Sequence, residues 1–194
     1  MIDGPHAAWP GVGVALGVFV LANVVQRTAE LVVSSRNARR LAARGGRLER
    51  SDGFGLIVAL HVLYPILLVV EVLGSRTARP SHAWPAWAAA WVVAQALRQF
   101  SMAQLGDRWT ARVWVVPGEA RVSRGLYRWF PHPNYLGVIV ELLAGPMMFG
   151  AWRTALALST INAIALARRL RAEERALRRA EAEGTESGLA TVSS

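Results

Sequence analysis

The chain has 194 residues, 53% of them hydrophobic, with a mean hydropathy of +0.28. That is short enough for one domain and too apolar for an ordinary soluble one. The formal net charge is +9, and all 22 basic residues are Arg, set in blocks between apolar runs. This is the membrane pattern, and it argues against nucleic acid as a partner. With no Cys, a disulfide, a thiol nucleophile and a thiolate metal site are excluded, and no other pattern suggests a metal.

Five apolar runs follow in chain order: residues 9–33, 54–73, 84–105, 135–150 and 151–170. Each approaches the about 20 residues a bilayer crossing needs, and each should be a helix, because lipid offers backbone groups no external partner. The N-terminus lacks the basic start and small-residue cleavage site of a signal peptide, so the first run reads as a retained span. Between the first two runs, SSRNARRLAARGG reads as a short basic helix stopped by Gly45-Gly46. The segment 106–133 holds the β-leaning run WTARVWVV and a Pro117-Gly118 turn, and is long enough to fold over something. The last two runs, joined at Gly150-Ala151-Trp152, should form a tight antiparallel hairpin. Residues 1–180 then make one membrane domain, and 181–194, small and polar, read as a disordered tail.

Seventeen of the arginines fall in 34–50, in 106–133 and in the tail from Arg168, while Arg76, Arg79 and Arg153 fall on the opposite side. The positive-inside rule makes the richer face cytoplasmic, with the N-terminus out and the C-terminus in. Trp9, Trp84, Trp87 and Trp152 then mark the outer interface as an aromatic belt. The fold class expected is an all-α polytopic integral membrane protein with five transmembrane helices and a cytoplasmic ligand-binding region.

Polar residues inside apolar spans are costly and point to function. Arg27 and Glu30 are i,i+3 near the inner end of the first span, where they can neutralise each other. Arg98 and Glu141 each lie in an apolar helix and can pair across helices beside a substrate, as a structural ion pair or as catalytic groups. His61 in the second span is a candidate for the substrate path, or a neutral buried residue. Glu71, near the outer end, reads as interfacial.

The densest cluster lies between Leu105 and Leu177. It comprises Leu105-Gly106, Trp109, Gly125-Leu126-Tyr127-Arg128, His132-Pro133-Asn134-Tyr135-Leu136-Gly137 and, after one hydrophobic hairpin, Arg169-Leu170 with Glu173-Glu174 and Leu177. These five elements in this order resemble the isoprenylcysteine carboxyl methyltransferase family, integral-membrane enzymes that use S-adenosyl-L-methionine. One departure is visible: Pro131 stands before His132, where the family usually has Arg. The stretch RTAELVVSSRNARRLAARGGRLE and the span after it are similar to small bacterial members associated with type III polyketide synthases, which O-methylate alkylpyrones or alkylresorcinols.

The resemblance implies a cofactor site made by Gly125, Tyr127, Arg128, His132, Pro133, Tyr135, Gly137, Arg169, Glu173 and Glu174, with adenine held by backbone groups around 122–127. The chemistry agrees. The cofactor's carboxylate calls for Arg and its ammonium for Glu, and Arg169 and Glu173, i,i+4, share a helix face. Adjacent carboxylates point about 100° apart on a helix, so one of Glu173 and Glu174 can bind ligand while the other pairs with Arg. The acceptor implied is a lipophilic small molecule from the bilayer, with a polyketide synthase as pathway neighbour and the bacterial cytoplasmic membrane as location. Arg98, Glu141 and His61 form the catalytic pool. A hydroxypyrone or carboxylic acid is already ionised near neutral pH, whereas a resorcinol hydroxyl needs a base, drawn from His132, His61 or Glu141. The alternatives are methylation of a prenylcysteine carboxylate or an amine head group, and, from another class, a non-catalytic scaffold or transporter subunit.

Overall fold

A computed structural model describes residues 11–74, 82–119 and 122–192, with side chains to Arg179. Trp9, Arg76, Arg79 and Arg121 of the sequence reading lie outside them. The described chain is helical: α1 (Val12–Ala43), α2 (Phe54–Gly74), α3 (Trp84–Leu105), α4 (Pro133–Met148) and α5 (Trp152–Val192), with a two-stranded ribbon of β1 (Arg47–Leu48) and β2 (Trp114–Val115).

The first helix differs from expectation. The span and the basic helix after it are one 32-residue element, because nothing between Val33 and Ala43 breaks a helix and Ala, Leu and Arg favour one. At 1.5 Å per residue it is about 48 Å long, so it projects beyond a hydrocarbon layer of about 30 Å. It ends where the sequence suggested, with Gly45 at φ 78°. Gly45 N donates to Ala42 O at 3.0 Å and Gly46 N to Leu41 O at 2.8 Å, the reciprocal pair of a Schellman cap. The last helix is also longer than expected: α5 is continuous from Trp152 to Val192 and takes in residues 181–192 of the segment read as a disordered tail.

Helix α4 packs along α3 on one side and α5 on the other, and α5 packs on α2. Small residues permit the approach, with Ala94, Ala144, Ala155 and Ala165 all buried. Leu16, Leu60, Tyr64, Leu68, Leu142 and Leu158 form the centre of the apolar core. Outside it, large apolar side chains are exposed on all five helices, among them Val18, Ile66, Val93, Ile139 and Leu156. Helices α1 and α2 are long and apolar enough to cross a membrane.

The hairpin between α4 and α5 turns at Gly150, φ 72°. Glu71, near the outer end of α2, is buried in the protein at 8% exposure. It accepts hydrogen bonds from Thr154 N and Oγ1, each at 2.6 Å, and from Arg153 N at 3.2 Å. A carboxylate there satisfies the free N–H groups at the start of α5 and complements its dipole.

Candidate active site

Two elements meet where the sequence concentrates its polar motifs. His132 precedes α4, and Pro133 occupies its first position, where a missing N–H costs nothing. His132 and Tyr135, three residues apart, stack with ring centroids 5.0 Å apart and planes within 4°. From α5, Arg169 Nε donates to the Tyr135 hydroxyl at 2.8 Å, and that hydroxyl donates to Glu173 Oε2 at 2.8 Å. His132 Nδ1 lies 3.9 Å from the same carboxylate oxygen. Arg169 Nη1 donates to Ala111 O at 2.7 Å, which ties α5 to the segment 106–133.

His132, Tyr135, Arg169 and Glu173 line a cavity of about 390 Å³ together with Arg108, Trp109, Tyr127 and Pro131. Burial, and secondarily the Glu173 carboxylate, push the Tyr127 phenol up to about 12, so it is a neutral hydroxyl across the physiological range. Among the ten residues expected to hold cofactor, Tyr127, His132, Tyr135, Arg169 and Glu173 converge on this cavity. The other five do not line it. Glu174 is exposed, as the 100° offset of neighbours on a helix allows. Arg128 is exposed and rests over the Trp129 ring at 5.7 Å. Pro133 is buried at the helix start. Gly125 and Gly137 act through packing. A Cβ on Gly125, which has φ 61°, would sit 2.5 Å from Gln104 Nε2, and one on Gly137 would sit 2.5 Å from Arg98 Cγ.

The segment 106–133 is fastened over the cavity by residues the motif reading did not single out. Asp52, 1% exposed, accepts from Val113 N at 3.1 Å and pairs with Arg112 Nε at 3.2 Å. Asn37 Nδ2 donates to Gly106 O at 3.0 Å and Trp109 O at 2.8 Å, and Ser34 Oγ accepts from Ala111 N at 2.9 Å. The ribbon adds register, Arg47 opposite Val115 and Leu48 opposite Trp114. A signal for part of this was available: Leu16, Asn23, Glu30 and Asn37, seven apart, all lie on the buried face of α1.

Deeper in the bundle, Arg98 and Glu141 do pair across helices, and they do so within a quartet. Arg98 Nη1 donates to Glu141 Oε2 at 2.6 Å and Arg98 Nη2 to Glu30 Oε2 at 2.7 Å. Arg27 donates to Glu30 at 2.6 Å and also to Glu141. Each carboxylate therefore meets both guanidiniums. Arg98 is 2% exposed and Glu141 fully buried, a situation that is stable only when charges are balanced and bonded. Arg27, Glu30 and Arg98 border a second cavity of about 300 Å³, which His61, Tyr64 and Asn134 also line.

The two cavities share Trp109, Thr110, Asn134, Tyr135 and Arg169 as lining residues. A polar chamber and a chamber walled by the helical bundle thus meet at one group of side chains.

The sequence profile of the isoprenylcysteine carboxyl methyltransferase family matches residues 87–179, a stretch that contains Tyr135, Arg169 and Glu173. Over 154 residues the chain is 35% identical to a Bacillus subtilis protein described as uncharacterized protein YpbQ, covering 79% of this chain and 91% of that one. The chain belongs to this methyltransferase family. An uncharacterized protein of Haemophilus influenzae is 27% identical over 153 residues, 78% of this chain and 88% of its own. No solved structure matches the chain. Membership in the isoprenylcysteine carboxyl methyltransferase family implies a membrane methyltransferase that uses S-adenosylmethionine. The matched stretch includes Arg98 and Glu141, whereas Arg27, Glu30 and His61 lie upstream of it.

Proposed function

We propose that this protein transfers a methyl group from S-adenosylmethionine to an oxygen of a lipophilic acceptor, a long-chain alkylpyrone or alkylresorcinol. The observation that carries the reading is the common wall of the two cavities, Tyr135, Asn134 and Arg169 with Trp109 and Thr110. A cofactor on one side and an acceptor on the other would present their reacting atoms to each other there, and positioning of this kind carries much of a methyl transfer.

The residues of the polar cavity fit the cofactor. Among the described residues, the recorded bonds of Arg169 go to neutral oxygens, those of Tyr135 and Ala111, which leaves its charge for the cofactor's carboxylate. Glu173 suits the ammonium. Val122, Ser123 and Tyr127 line the same cavity and suit adenine. The bound cofactor would supply an electrophilic methyl on a sulfonium. The protein's share is to bind it, to align the acceptor and to exclude water beneath the segment 106–133.

The second cavity suits a lipid-borne acceptor. Val24 and Leu31 of α1 and Val58 and Val62 of α2 line it and are also exposed on the outer surface. An alkyl tail would enter between these two helices from the bilayer. The arginine distribution supports five spans, with the segment 106–133 and the polar cavity at the cytoplasmic face, where the cofactor is available. A prenylcysteine carboxylate is the second reading, favoured by Arg169 lining both cavities.

Purified protein in detergent should bind S-adenosylhomocysteine in the micromolar range by calorimetry, on the order of −8 kcal/mol. Glu173→Gln and Tyr135→Phe should each weaken binding about tenfold, since each removes one link of the His132–Tyr135–Glu173–Arg169 group. Absence of binding to well-folded protein would leave the scaffold or transporter reading.

A further inference from the structure

The second cavity is bordered by side chains whose polar atoms are buried without a hydrogen-bond partner among the described residues: Asn23 Oδ1, His61 Nε2, Tyr64 OH, Asn134 Oδ1 and Arg98 Nε. Burying such groups unpaired is unfavourable, and five around one cavity is a concentration that a ligand would relieve. Their kinds are informative. Asn23 already uses its Nδ2 to donate to Phe19 O at 2.9 Å, so its oxygen is an acceptor. His61 Nδ1 lies 2.7 Å from Ile57 O, so Nδ1 carries the proton and Nε2 of the neutral ring presents a lone pair. Three of the five are therefore acceptors, Tyr64 can serve either way, and only Arg98 Nε is a donor. A ligand that satisfies this set brings hydroxyl hydrogens. A carboxylate brings acceptors alone and would leave Asn23, His61 and Asn134 facing further lone pairs.

Charge points the same way. The charged groups that act on His61 are Arg27, Glu141 and Arg98, and the quartet they form with Glu30 is neutral, each carboxylate bonded to both guanidiniums. It has no spare cation for an anionic acceptor. Among the described residues, the cation at this cavity outside the quartet is Arg169, on the wall shared with the polar chamber.

We propose that the second cavity takes its acceptor as a neutral phenolic hydroxyl, and that His61 is the group that receives this hydroxyl's hydrogen bond and then its proton. The proposal rests on the methyltransferase reading and selects within it the resorcinol, whose hydroxyl needs a base, and His61 as that base. As the methyl is transferred, the acceptor oxygen forms the new O–CH₃ bond. The carbon–sulfur bond breaks with its electron pair left on sulfur, which discharges the sulfonium. The O–H proton passes to His61 Nε2 and is lost to solvent after the product leaves. A mono- or dihydroxylated ring with an alkyl tail fits, the ring among the polar atoms and the tail between α1 and α2.

Two variants separate binding from proton transfer. His61→Phe keeps the ring volume but has no acceptor, whereas His61→Gln can accept a hydrogen bond but is not a base. The probes are a long-chain 5-alkylresorcinol, its ring-nitrated analogue, whose hydroxyl is ionised near neutral pH, and S-farnesylcysteine. Calorimetry without cofactor should find the alkylresorcinol bound by wild type and His61→Gln, and bound at least tenfold more weakly by His61→Phe. Methyl transfer to the alkylresorcinol should show kcat reduced about a hundredfold or more in His61→Gln with KM little changed, and the nitrated acceptor should restore most of that loss. Both variants should bind S-adenosylhomocysteine like wild type, which verifies the fold. Full kcat in His61→Gln, equal loss on both resorcinols, or wild-type transfer to S-farnesylcysteine alone would overturn the proposal while leaving the methyltransferase reading intact. A wild-type protein that binds no S-adenosylhomocysteine would overturn both.

Discussion

At the residue scale, the ion quartet is the feature whose energetics can be read most directly. Arg27, Glu30, Arg98 and Glu141 come from three helices and neutralise one another, with Arg98 and Glu141 out of reach of water. Removing one member strands a buried charge, which costs about 3–5 kcal/mol, whereas removing a cation and an anion together restores balance. Glu141→Leu should therefore lower the detergent melting temperature sharply, and Arg98→Met combined with Glu141→Leu should recover much of the loss. A double variant no more stable than the single one would mean that the quartet's contribution is not a matter of charge balance. The sequence exposed these residues because charges inside apolar runs stand out, and the i,i+3 pairing of Arg27 with Glu30 was legible. Their joining to Arg98 and Glu141 was not, since it depends on how α1, α3 and α4 are turned toward one another. The same limit applied to the cofactor motif. The i,i+4 spacing of Arg169 and Glu173 gave their shared face, but the motif does not show that Gly137 and Pro133, both within it, lie off the cavity wall in packed positions.

At the scale of elements, the helices were legible from hydrophobic runs and their ends from Gly and Pro, as the Schellman cap at Gly45-Gly46 illustrates. The continuity of α1 was not, because polarity changes at Ser34 while helix propensity does not. The fastening of 106–133 was equally hidden. Asp52 lies in a short loop with no motif around it, and its partners Val113 and Arg112 are sixty residues away. The orientation of the spans is tested by cysteine substitution in a chain that has none. His82→Cys precedes α3 and Ser123→Cys lies in the segment over the polar cavity, and both positions are exposed. In intact cells an impermeant maleimide should label the first and not the second; the reverse would put the cavity on the side without cofactor.

At the scale of the whole molecule, two chambers share one wall. The polar chamber collects side chains from α4, α5 and the segment 106–133. The other opens between α1 and α2, helices that lie outside the region matched by the family profile. If the second chamber is where the acceptor lies, its chemistry is set largely by α1 and α2, and acceptor preference can differ among relatives that share the cofactor motif. The most direct test is transfer of labelled methyl from S-adenosylmethionine by the purified protein to alkylpyrones and alkylresorcinols of increasing tail length, with S-farnesylcysteine alongside. The account predicts label in the hydroxylated rings, with kcat/KM rising with the tail until the cavity is filled. At about 0.8 kcal/mol per buried methylene the rise is up to about fourfold per carbon. Label in S-farnesylcysteine alone, or rates indifferent to tail length, would contradict it.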